Sequence, residues 1–147
     1  MGIAEELEPH VVVRGTAAGF AQTIQVGSHH ITADEPASFG GADTGASPYD
    51  LVLAGLGACT SMTIGLSARK RRWPLDKITV SLSHSRIHAQ DCEECETKEG
   101  KIDRIEIEIH LEGTLTDEQR AKLIEIAGKC PVHKTLTSEI NIKTRAV

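Results

Sequence analysis

Eighteen consecutive residues, Leu51 to Ala68, carry no charge, and however the chain folds they need an apolar environment. Their length is at the edge of what crosses a bilayer. Ten of the eighteen are Gly, Ala, Ser or Thr, and amphipathic segments follow, so the expectation is a helix buried inside a soluble protein, without membrane association. Ser47, Pro48 and Asp50 set its start: a hydroxyl cap, a proline at the first helical position and a carboxylate in the first turn. The helix should run to about Arg72, where Trp73-Pro74 stops it. The basic run Arg69 to Arg72 suits a helix C-terminus.

The segments on either side read as strands. Val11 to Val13, Phe20 to Val26 and His29 to Ala33, separated by tight turns, predict a three-stranded meander. Phe39 to Pro48 is Gly-rich but lacks a phosphate-loop or dinucleotide signature, and reads as a connector. Beyond the helix, Ile78, Val80 and Leu82 alternate with polar residues, and the same face continues through His84, Arg86 and His88. Ile105, Ile107, Ile109 and Leu111 alternate with Glu106, Glu108, His110 and Glu112 in the clearest strand of the chain. Thr116 with Gln119 predicts a capping box and a helix to about Lys129. Pro131 opens a short helix to Ser138 with Cys130 as its N-cap, and Ile140, Ile142 and Thr144 predict a closing strand. The order βββ-α-ββ-α-(α)-β indicates an α+β fold, as one domain over residues 1–147.

A net charge of −5 argues against a nucleic-acid partner, which calls for a basic stripe. Residues 1–9 are acidic and show no secretory pattern, which predicts a cytoplasmic protein. In that compartment structural disulfides are rare, so Cys59, Cys92, Cys95 and Cys130 point to redox chemistry, metal binding or inert burial. Position alone leaves Cys59, mid-helix, open to inert burial. Cys130, at a helix start, faces backbone N–H groups that favour a thiolate. His133, three residues on, is one helical turn from that thiol and could tune it, but reads first as a surface histidine.

Two segments carry a family resemblance. Ser47-Pro48-Tyr49-Asp50-Leu51 through Leu56-Gly57-Ala58-Cys59-Thr60-Ser61-Met62 resembles the first cysteine motif of the OsmC/Ohr family. Cys130-Pro131-Val132-His133, before Leu136-Thr137, resembles the second. The pattern covers nearly the whole chain, and the nearest branch carries a CxxC in its middle loop. The resemblance implies an OsmC-like fold in an intertwined homodimer, with the active site at the interface. It implies that Cys59 reduces organic hydroperoxides in oxidative-stress defence, that Cys130 resolves the oxidised Cys59 as a disulfide, and that an external dithiol restores the pair without a cofactor. The family's arginine from the N-terminal strands corresponds to Arg14, the only arginine before Cys59. The family's glutamate position holds Tyr49, with Asp50 adjacent and one methylene shorter.

The middle segment is a second constellation, His84, His88, Cys92 and Cys95. Two His and two Cys can complete a tetrahedral Zn²⁺ site, so a metal-binding or redox-sensing module without peroxidase turnover is the alternative reading. However, residues four apart on a strand are about 13 Å apart, so His84 and His88 reach one metal only if the strand bends. The carboxylates of Asp91, Glu93, Glu94 and Glu96 disfavour thiolates at the CxxC, which speaks against a strong redox role there.

Overall fold

The computed structural model describes residues 9–147. The chain divides into two compact units, Met1–Val52 and Leu53–Val147, and the boundary falls inside the long helix α1 (Pro48–Arg71).

In the first unit, β1 (Val11–Gly15), β2 (Gln22–Val26) and β3 (His29–Ala33) form an antiparallel meander in the order β1-β2-β3. Ile24 stands opposite Ile31 and Arg14 opposite Thr23. The turn between β2 and β3 uses Gly27 at φ +57°, a left-handed conformation that glycine adopts without steric cost. The Gly-rich segment that follows is more than a connector, because Asp34 organises it. Asp34 is 2% exposed, and its carboxylate accepts the N–H groups of Glu35 (2.8 Å), Ala42 (3.3 Å) and Thr44 (3.1 Å) and the Thr44 hydroxyl (2.7 Å). These bonds, the Thr44 hydroxyl first, outweigh burial and hold the carboxyl below its ordinary value, because each favours the charged form.

Helix α1 begins as its sequence predicts, with the Ser47 hydroxyl accepting the Asp50 N–H at 3.3 Å. It ends on Arg72 at φ +57°, with Trp73 N–H bonded back to the Ala68 carbonyl at 3.0 Å. That closure satisfies a carbonyl the helix would otherwise leave open.

The second unit is built on an antiparallel hairpin, β4 (Leu75–His88) and β5 (Lys101–Gly113), in register from Ile78↔Leu111 to His88↔Lys101. The alternating residues point Ile78, Val80, Leu82, Ile107, Ile109 and Leu111 to one half-buried or buried face. Gly57 lets α1 approach this face closely, since a Cβ there would sit 2.6 Å from Leu82 Cδ1. Helix α2 (Asp117–Ala127) starts in the predicted capping box, with Thr116 and Gln119 bonded reciprocally at 3.0 and 3.1 Å. It adds Leu123, Ile126 and Ala127 to a core shared with Ile64, Ala68 and Leu111. Helix α3 (Pro131–Leu136) follows with Cys130 as N-cap.

Three expectations change. The predicted burial of α1 is only partial: Leu56, Thr60, Ile64 and Ala68 form one buried stripe, while Met62 on another face is 72% exposed. Within the second unit the β4–β5 ribbon and α2 cover one side of the helix, so a stripe, with Gly57 beside Leu56, is what they bury. The predicted closing strand does not form: residues 139–147 join no sheet, and Ile142 is 82% exposed. Alternation marks a segment that can be a strand, but a strand needs a sheet edge to pair with. The β4 face also ends earlier than expected. His84 is half-buried, but Arg86 and His88 are exposed, and burial passes to Ile87, paired with Ile102 on the opposite face of the ribbon.

Candidate active site

Cys59 lies at the middle of the uncharged segment, one residue before the buried stripe position Thr60. It is half-buried, and Cys130 is fully buried; both are free thiols. Seventy residues separate them in the sequence, and the fold places them side by side, because α1 and α2 share one core and Cys130 follows directly on α2. The Cys130 sulfur accepts a hydrogen bond from the His133 backbone N–H, and the Cys59 thiol, the Val132 N–H and Thr60 lie close enough to favour its charged form. The His133 N–H lies 3.5 Å from it.

Burial works against ionisation of Cys130 and is the largest single influence. The polar groups around the sulfur together outweigh it, Cys59 first, and the Cys130 thiol is held below its ordinary value of 9.0. A donor stabilises a thiolate more than a thiol, so converging donors favour the anion. His133 contributes its main-chain N–H to this arrangement, a backbone effect set by the N-cap position. Thr60 was missed from sequence. Its hydroxyl donates its proton to the Leu56 carbonyl at 2.8 Å, and its position next to Cys59 in the first motif was the available signal.

Arg14 and Asp50 both belong to the first unit. Arg14 is exposed on β1, with its guanidinium 3.5 Å from the Gln25 side-chain oxygen. Asp50 is exposed in the first turn of α1. With Tyr49, Phe39, Asp43 and Ser47 it lines an open cavity of about 490 Å³.

The middle loop does not assemble as a donor set. Cys92 and Cys95 are joined to each other in a disulfide, so neither offers a thiolate to a metal. His84 Nε2 lies 2.9 Å from Asp103 Oδ1, which the Arg86 guanidinium also approaches at 3.6 Å. Among the described residues no group of three or more His, Cys, Asp or Glu converges on a common point. Metal binding by His84, His88, Cys92 and Cys95 therefore loses its geometric basis in this oxidised form.

Comparison with known proteins bears on the family and the fold. Residues 40–145 match the family described as OsmC-like protein. Among solved structures, a Psychrobacter arcticus protein named for osmotic-stress induction and detoxification response superposes with a TM-score of 0.71 at 19% identity, covering 90% of this chain and 91% of that one. An OsmC-like protein from Mycoplasma pneumoniae gives 0.68 at 20% identity, covering 89% and 88%. The organic hydroperoxide resistance protein OhrB of Bacillus subtilis gives 0.60 at 23% identity, covering 90% and 93%. No curated protein matches the chain.

Proposed function

The chain belongs to the OsmC-like protein family, and on that premise we propose that it reduces organic hydroperoxides with the Cys59–Cys130 pair. The observation that carries this reading is the proximity of the two thiols, with the His133 N–H bonded to the buried Cys130 sulfur. Cys59 is the more accessible of the two, so it is the one that meets the peroxide.

The chemistry starts with one proton shared by two sulfurs. That proton passes from Cys59 to Cys130, and the Cys59 thiolate attacks the terminal peroxide oxygen. A sulfur–oxygen bond forms, the O–O bond breaks, and the alkoxide takes the proton from Cys130 to leave as an alcohol. Cys59 is now a sulfenic acid. The Cys130 thiolate, stabilised by the His133 and Val132 N–H groups, attacks the Cys59 sulfur, and hydroxide leaves as water once protonated. An external dithiol reduces the disulfide and becomes a disulfide itself. On the family pattern the guanidinium role falls to Arg14 and the carboxylate role to Asp50. The uncharged helix around Cys59 favours alkyl over hydrogen peroxide as substrate.

A second copy of the chain completes the fold in this reading. It covers the open face of α1 and offers a sheet edge to residues 139–147, giving the family's homodimer, and the site then works in the cytoplasm in oxidative-stress defence. Turnover of cumene hydroperoxide with dithiothreitol tests the function. The reading predicts sustained consumption that exceeds that of hydrogen peroxide and is abolished by Cys59→Ser. A rate equal to that of Cys59→Ser would end it.

A further inference from the structure

The middle loop holds a sulfur pair that the peroxide chemistry does not use. Cys92 and Cys95 are joined just beyond the end of β4, with their Cα atoms 5.4 Å apart. The two differ in access: Cys92 is 2% exposed, and Cys95 is half-buried. Cys92 is anchored through its backbone. Its N–H bonds to the Ala89 carbonyl at 3.1 Å, and the Ala89 N–H bonds across the hairpin to the Gly100 carbonyl at 2.8 Å. The Lys98 ammonium donates to the Cys92 and Glu93 carbonyls at 3.1 and 3.3 Å. Residues 93–97 hold no buried side chain, so the disulfide is the main tie that closes the loop on itself.

We propose that Cys92–Cys95 is a second dithiol–disulfide couple, which exchanges with external dithiols through Cys95 and keeps the hairpin tip closed only while oxidised. A reductant thiolate attacks the Cys95 sulfur, the accessible one. A mixed disulfide forms there, the Cys92–Cys95 bond breaks, and Cys92 leaves as a thiolate that takes a proton from water. The reductant's second thiol then attacks the mixed disulfide, closes its own internal disulfide and frees Cys95. Two electrons have passed from the dithiol to the protein.

The charge around the pair sets its direction. Asp91, Glu93, Glu94 and Glu96 flank the two cysteines, and negative charge disfavours thiolates. Reduction therefore gains little from ionisation, and the couple belongs on the reducing side of the scale. Cys130 is the opposite case, with donors converging on its sulfur. The loop couple is thus the better electron donor of the two, and this ordering holds whether or not Cys59 reduces peroxides.

The test uses the full chain with Cys59→Ser and Cys130→Ser, equilibrated in a graded series of reduced to oxidised dithiothreitol, quenched by alkylation and mapped by peptide mass spectrometry. The proposal expects Cys92 and Cys95 to become alkylated together in one two-electron transition. It also expects backbone amide exchange over residues 89–100 to rise roughly tenfold on reduction. A pair that stays oxidised in native protein at the highest reductant ratio, a pair found as thiols at every ratio, or a loop whose exchange is indifferent to reduction would each overturn it. If the double variant does not fold, the same mapping on the unmodified chain reads this couple separately from Cys59 and Cys130.

Discussion

Replacing Arg120 with methionine should loosen the connection that sets α2, and with it the position of Cys130. The half-buried Arg120 guanidinium reaches back from α2 to the end of β5, donating to the Leu111 carbonyl at 2.7 Å and the Gly113 carbonyl at 2.9 Å. Methionine keeps the apolar stem and removes both donors, so packing changes little. Hydrogen bonds with a charged donor contribute about 1.5–3 kcal/mol each, and partial solvent access reduces that. Leu111 is buried, so its carbonyl loses a partner that water replaces poorly. The expected loss is about 2–4 kcal/mol, or roughly 5–15 °C in Tm for a chain of this size. Urea and thermal unfolding followed by circular dichroism measure it. Lys122→Met, which removes only the surface pair with Glu125 at 3.5 Å, should cost less than about 0.5 kcal/mol and serves as the reference. An Arg120→Met loss no larger than that of Lys122→Met would refute the reasoning.

Leu123→Ala removes a fully buried side chain from the shared core and should cost about 3–4 kcal/mol by the same unfolding assay. Because the Asp34 carboxyl is held below its ordinary value of 3.8, its contribution is complete above that value and is lost as pH falls through the folded value. The Ala42 and Thr44 amide resonances should therefore stay constant from neutral pH down to about 4 and shift below it, and Asp34→Asn should remove that titration. Cys130→Ser leaves the Cys59 sulfenic acid without a thiol partner, so excess peroxide should carry Cys59 to sulfinic acid. Mass spectrometry should find that product in the variant and a disulfide in the parent chain.

What the sequence made legible was local. The Ser47 cap, the capping box at Thr116, the stop at Trp73-Pro74 and the alternation of β5 each act through residues within one or two turns, and each formed where it was read. Asp34 was missed because its partners lie up to ten residues away in a loop without periodicity. An aspartate at a strand end ahead of a Gly-rich run containing a threonine was the only cue. The closing strand failed for the converse reason: alternation in Ile140 and Ile142 is local, but an edge to pair with is not. The partial burial of α1 could not be read from composition, because apolar residues on all sides say that a helix needs cover without saying what provides it. The juxtaposition of Cys59 and Cys130 came from the two motifs together. Neither cysteine's own surroundings in the sequence distinguish a reactive thiol from a buried one.

The most direct test is a single turnover. The chain carrying Cys92→Ser and Cys95→Ser, fully reduced, receives one equivalent of tert-butyl hydroperoxide, is quenched by alkylation and is digested under non-reducing conditions. Oxidation should yield one new crosslinked peptide, joining Cys59 to Cys130, together with one equivalent of tert-butanol. Recovery of both cysteines as alkylated thiols after the peroxide has been offered, or a crosslink from Cys59 to any other cysteine, would contradict the claim that these two sulfurs form a working pair.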